Sequence, residues 1–222
     1  MSECPLKRGQ RILFDGDSLV SRRGPGSRGT WPFLRLSNWH ETWAEPVANW
    51  LFCNRPDLRL QFFNAGIGGS TARAMLDRIE AAVLPLKPDW VLLNVGGNDE
   101  RRGVPMKEFK ATLAEYCRRV AEHSGARCMA VSGWKPCPLC PEQKAARQAG
   151  RMRYFKAVKQ VVEAAGGVWV DVGTPLQKKA RLLYKQHELH TVYSDGGHYN
   201  AVGNAIVAAQ VLQALGVLDL RE

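Results

Sequence analysis

Two kinds of apolar pattern alternate along the chain. Five short runs, "RILFD" (11–15), "LRLQFF" (58–63), "DWVLLNV" (89–95), "ARCMAVSG" (126–133) and "GVWVDV" (167–172), are almost continuous in apolar residues and bounded by Gly, Asp or Asn. Runs of that length predict strands buried on both faces, as in a parallel sheet. Between them the apolar residues recur at helical spacing. Trp43, Val47, Trp50 and Leu51 share one face, as do Ala72, Met75, Leu76, Ile79 and Val83. Further stripes run through Phe109, Leu113, Cys117 and Val120, then Tyr154, Phe155, Val158, Val161 and Val162, then Val202, Ile206, Val207, Val211 and Leu215. Strand–helix alternation predicts one α/β domain over residues 1–222, with a core from about 11 to 215 and a five-stranded parallel sheet covered by helices on both faces. No internal repeat or linker divides it.

Two irregular stretches, 21–38 and 133–143, leave the C-terminal ends of strands, the edge where open α/β sheets hold their ligands. A chain of 222 residues with 45% hydrophobic content needs no disulfide or metal to hold a core. The net charge of +10 points to anionic partners such as acidic polymers, phosphorylated carriers, nucleic acid or lipid, or else only keeps the surface solvated. The basic residues are scattered and no nucleic-acid motif occurs, so a polyanion- or nucleic-acid-binding module is the weaker reading.

Among the cysteines, Cys53, Cys117 and Cys128 lie in apolar surroundings and read as small core residues. Cys137 and Cys140 form the only pair with metal-like spacing, and no second pair completes a zinc site. A reduced thiol pair is expected. "MSECPLKRGQ" has no apolar signal core and no run approaches a membrane span, so a cytoplasmic protein is expected, or a secreted one if an upstream leader has been removed.

Four segments carry the candidate chemistry: "GDSL" (16–19), "NAGIGGST" (64–71), "GGND" (96–99) and "DGGH" (195–198). Ser18 has an unactivated hydroxyl that needs a base. His198 can supply it through one ring nitrogen, and Asp195, three residues earlier, can hold the proton on the other. Taken singly, Ser18 would cap a helix, the glycines would be turn formers, and His198 would be an ordinary satisfied histidine. No lysine-serine of a phosphate loop and no G-x-G-x-x-G after the first strand favours nucleotide binding.

All four blocks, in this order, resemble the GDSL or SGNH esterases and acylhydrolases, and the resemblance spans Arg11 to about Leu215. It implies a three-layer α/β/α, flavodoxin-like domain. It also implies a Ser18–His198–Asp195 triad with an oxyanion hole formed by the Ser18 and Gly69 backbone N–H groups and the Asn98 amide. Gly69 takes that role by pattern, with Gly66 and Gly68 close in register. Asp17 and Asp99 are expected to brace the loops, Asp171 has no role assigned, and Asn200 is expected to cap the last helix. No metal or organic cofactor is required.

The family includes carbohydrate deacetylases, lysophospholipases, thioesterases and small-ester hydrolases. "GGNDERRG" resembles the thioesterase and lysophospholipase members, and "DGGHYNAVGN" those acting on acetylated sugars. The expectation is a serine esterase of short-chain or acetyl esters. The alternatives are a longer-chain acylhydrolase or thioesterase, and acyl transfer to an alcohol. Trp31 and Trp134 in the two strand-end stretches are candidate sugar contacts. Arg22, Arg23, Arg28, Arg35, Arg101 and Arg102 are expected to fringe the site and favour a small-molecule or saccharide ester bearing a nearby anion.

Overall fold

A computed structural model describes residues 5–21, 42–132, 145–187, 192 and 198–219, together with the backbone of 31–32. The elements run β1 (Arg11–Gly16), β2 (Trp31–Pro32), α1 (Ala44–Asn54), β3 (Gln61–Asn64), α2 (Ala72–Asp77), α3 (Ile79–Ala82), β4 (Trp90–Asn94) and α4 (Gly97–Arg101). Then come α5 (Met106–Ser124), β5 (Arg127–Ser132), α6 (Ala145–Ala164), β6 (Val168–Asp171), α7 (Gly173–His187) and α8 (Ala201–Ala214). The sheet order is β2-β3-β1-β4-β5-β6. The five expected strands are all parallel, and the chain's first strand lies between its neighbours β3 and β4. That puts the chain reversal, and hence the ligand crevice, at the C-terminal ends of β1, β3 and β4.

Side chains alternate across the sheet with the period of two that a strand imposes. Ile12, Phe14, Trp90, Leu92, Met129, Val131 and Val170 pack toward α1, α7 and α8 through Val47, Leu51, Leu176, Ala180, Val207 and Val211. Leu13, Val91, Leu93, Cys128 and Ala130 face the other way, onto Met75, Ile79, Phe109, Leu113, Val120 and Val158 of α2, α3, α5 and α6. Each full burial of a Leu, Ile or Phe side chain contributes about 1.5–3 kcal/mol, so the two apolar layers hold the sheet edge in register.

Four expectations change. A two-residue antiparallel strand, β2, pairs Trp31 with Asn64 inside the stretch read as irregular. The helix expected across Ala72–Val83 is broken at Arg78 into α2 and α3. The helix α7 follows β6, where no helix was expected, and Asp171 caps it: its carboxylate accepts the Gly173 N–H at 2.9 Å and the Thr174 hydroxyl at 2.5 Å. Cys53 is exposed rather than in the core, while Cys117 and Cys128 are buried. No helix among the described residues is long and apolar enough to cross a membrane.

Candidate active site

β1 ends in a glycine that no other residue could replace. Gly16 has φ +145°, and a Cβ there would lie 2.2 Å from the Asn94 carbonyl oxygen on β4. The chain then turns sharply: the Asp17 N–H donates to Asn94 O at 3.3 Å, and the Val20 and Ser21 N–H groups return to Asp17 O at 3.1 and 2.9 Å. Ser18 sits at the tip of this turn, half-buried and outside any helix. The turn is held from below by Asn64 at the end of β3, whose amide donates to Val20 O at 2.8 Å and accepts the Gly66 N–H at 2.9 Å.

The histidine arrives from the other end of the chain. Tyr199 is buried in the core, and Asn200 caps α8 by accepting the Gly203 N–H at 2.9 Å. The Asn200 N–H donates to Val192 O at 3.1 Å. A Cβ at Gly203 would come within 2.1 Å of that same carbonyl, so the first turn of α8 lies directly on the Val192 backbone. So anchored, His198 places Nε2 2.8 Å from Ser18 Oγ. That is hydrogen-bond distance for a proton transfer.

Two further segments close the pocket rim. After β3, Gly69 has φ +78°, a left-handed conformation that favours glycine. Among the described residues nothing accepts the backbone N–H of Ser18 or of Gly69. After β4, Gly96 (φ +106°) starts α4, and Asn98 falls in its first turn. The Asn98 amide donates to Ser70 O at 3.1 Å and to Asp17 Oδ2 at 3.3 Å. Arg102, exposed at the end of α4, donates to the Gly69 carbonyl at 3.0 Å. Arg101 is exposed beside it.

Two buried carboxylates stand behind this rim. Asp17 accepts the Leu19 N–H at 2.9 Å, and Asp99 accepts the Ala72 N–H at the start of α2 at 3.0 Å. Burial pushes the Asp17 carboxyl up to about 6, against the Leu19 N–H and the nearby His198, which favour the charged form; Asp99 adds like-charge repulsion. Burial likewise pushes Asp99 to about 6, opposed chiefly by the Ala72 N–H. A carboxyl raised in the folded state stabilises the fold below its ordinary value and loses that contribution as pH rises through about 6. Asp17→Asn is therefore expected to gain stability over the wild type as pH goes from 4 to 7, by up to about 3 kcal/mol for two units of displacement. Chemical denaturation at a series of pH values measures it. A constant difference across the range would contradict the assignment.

Asp195, Arg22, Arg23, Arg28, Arg35, Trp134, Cys137 and Cys140 lie outside the described residues, and of Trp31 only the backbone is described. Ser18, His198, Gly69 and Asn98 come together at one edge, with Arg102 on the Gly69 loop. Sequence reading missed Asn64 and Asn94 beneath the turn. Their only signal was an asparagine closing each of two apolar strands.

A model of the GDSL-like lipase/acylhydrolase family matches residues 14–206, nearly the whole arrangement just described. The chain belongs to that family. It is a carboxylic-ester hydrolase of the serine type. An acetylxylan esterase of Geobacillus stearothermophilus is 26% identical over 216 residues, which cover 94% of each chain. The thioesterase 1/protease 1/lysophospholipase L1 of Escherichia coli K12 is 28% identical over 109 residues, 49% of this chain and 44% of its own. The solved fold of a catalytic mutant of the Geobacillus esterase superposes with a TM-score of 0.79 at 23% identity, covering 98% of this chain and 99% of that one. Solved catalytic mutants of that esterase replace a serine, a histidine and an aspartate.

Proposed function

We propose that the protein removes acetyl groups from carbohydrate esters, with Ser18 as nucleophile, His198 as general base and Asp195 as the carboxylate that orients the imidazole. The observation that carries the mechanism is the 2.8 Å contact between His198 Nε2 and Ser18 Oγ, beside two backbone N–H groups, of Ser18 and Gly69, that have no acceptor among the described residues. His198 takes the Ser18 proton as Oγ bonds to the acetyl carbonyl carbon. The oxygen of that carbonyl becomes an oxyanion, bonded by the N–H groups of Ser18 and Gly69 and by the Asn98 amide. His198 then returns the proton to the departing sugar oxygen, leaving acetylated Ser18. Water, deprotonated by His198, attacks that ester, and acetate leaves as Ser18 recovers its proton. Asp195, three residues before His198, stabilises the imidazolium in both halves.

The acetyl and saccharide assignment draws on the near-full-length likeness to the acetylxylan esterase. The half-length likeness to the lysophospholipase favours the longer-chain reading less. Arg102, exposed over the Gly69 loop, adds a preference for an acetyl ester near a carboxylate. A hydrolysis panel decides between them: acetyl, butyryl and octanoyl esters, an acyl thioester, and acetylated xylo-oligosaccharides with and without a uronic acid. The expected order is acetyl above butyryl above octanoyl, with the uronate-bearing oligosaccharide the best substrate at low salt. A maximum at octanoyl or at the thioester would overturn the acetyl reading.

A further inference from the structure

Beneath the rim lies a buried charged cluster that the chemistry above does not use. Asp15, fully buried on β1, accepts a hydrogen bond from the Tyr116 hydroxyl of α5 at 2.6 Å and from Arg78 Nη2 at 2.5 Å. The same Nη2 donates to the Gly16 carbonyl at 3.2 Å. The other arm of the guanidinium, Nη1, donates to Ser70 Oγ at 2.9 Å and to Ala74 O at 3.1 Å. Ser70 Oγ in turn donates to Ile67 O at 2.8 Å, and the Ile67 N–H donates to Gly16 O at 3.1 Å. One planar fork thus links the two segments that carry the Ser18 and Gly69 N–H groups, the first through the Gly16 carbonyl and the second through the Ser70 hydroxyl. It grips the first two residues before Ser18 and the second one residue after Gly69. The carbonyl of the same Ser70 is the acceptor of the Asn98 amide.

Stability alone does not account for this cluster. A buried ion pair gains little over an apolar replacement, because desolvating both charges offsets their attraction. Arg78 Nε is moreover buried without a partner among the described residues, which costs rather than stabilises. The fork springs from the junction of α2 and α3, where Arg78 is the C-cap of the one and the N-cap of the other. What the arrangement does provide is a fixed spacing between the nucleophile turn and the Gly69 loop. Hydrogen-bond donors stabilise an oxyanion strongly only when they are already in place. Burial pushes the Tyr116 phenol well above its ordinary value, so it remains a donor that fixes the Asp15 carboxylate.

We infer that Arg78 is a positioning residue, which ties the Gly16 carbonyl to the Ser70 hydroxyl and thereby sets the distance between the Ser18 and Gly69 N–H groups of the oxyanion hole. This rests on the proposed roles of Ser18, Gly69 and Asn98. Arg78→Lys keeps the charge beside Asp15 but cannot reach both the Gly16 carbonyl and the Ser70 hydroxyl, because an ammonium is a point donor rather than a fork. Ser70→Ala removes only the second arm's bond to the Gly69 loop and leaves the buried pair and the bond to Ala74 O intact.

The test measures kcat, KM and melting temperature for these variants, for their combination and for Asn98→Ala, together with the affinity for a boronic acid that forms a tetrahedral adduct on serine. Arg78→Lys and Ser70→Ala are expected to lower kcat by about tenfold, part of the 10²–10³ that loss of a whole donor costs, at unchanged KM. Boronate affinity should fall by a like factor, and the double variant should be no worse than Arg78→Lys, because both break one clamp. Full kcat and boronate affinity in Ser70→Ala and Arg78→Lys, while Asn98→Ala loses activity, would overturn the clamp and leave the oxyanion reading standing. Full kcat in Asn98→Ala would overturn that reading and the clamp with it.

Discussion

Ser18→Ala and His198→Ala each lower kcat for acetyl-ester hydrolysis by about four to six orders of magnitude, and the double variant is no worse than either alone. In the proposed mechanism the two side chains act as one unit, the hydroxyl becoming a nucleophile only while the imidazole 2.8 Å away can take its proton. Removing either leaves the other with nothing to do. Neither residue belongs to the apolar layers on either side of the sheet; Ser18 is half-buried in its turn and His198 is exposed. Both variants should therefore stay within about 0.5 kcal/mol of wild-type stability, as surface changes away from caps and cavities do. Steady-state kinetics with an acetyl ester and a thermal melt measure the two effects. A variant that loses activity only because it unfolds would leave the catalytic assignment without support.

The second large effect is at Asn98. Asn98→Ala lowers kcat by about 10²–10³-fold and leaves KM nearly unchanged, because the amide gains its strongest partner only when the carbonyl oxygen becomes an oxyanion. In the absence of substrate its protons go to Ser70 O and Asp17 Oδ2 at 3.1 and 3.3 Å, an arrangement that holds the amide over the rim. Asn98→Asp should be worse than alanine, since a carboxylate there repels the oxyanion it faces and lies beside Asp17 and Asp99. A rise in KM with kcat intact would make Asn98 a substrate contact instead.

The strands, and the gathering of Ser18, Gly69, Asn98 and His198 at one edge of the sheet, could be read from sequence because their signals are local. A strand buried on both faces is apolar throughout, and three of the four blocks follow directly on such a strand, while the fourth, "DGGH", stands before α8. α7 was missed for the opposite reason. Its residues "GTPLQKKARLLYKQH" include five of Lys, Arg or His, and its buried contacts rest on residues as modest as Leu176 and Ala180. Cys53 was misplaced because neighbouring apolar residues were taken as shared burial. On a helix, one and two residues on from buried Leu51 are about 100° and 200° around the axis, which turns Phe52 and Cys53 to solvent. The break at Arg78 was invisible because the apolar stripe continues on either side of it. At the break Arg78 bonds Asp15, 63 residues away in sequence, which is itself bonded to Tyr116, 101 residues from it. β2 could not be foreseen either, since a two-residue ladder depends on the strand it meets and not on its own composition.

The measurement that bears most directly on the account is covalent trapping of the nucleophile. The protein is incubated with a fluorophosphonate, digested, and its peptides are weighed. The account predicts a single phosphonylated residue, Ser18, with labelling abolished in Ser18→Ala and slowed in His198→Ala. Labelling at another serine, or no labelling of a preparation that still hydrolyses acetyl esters, would contradict it.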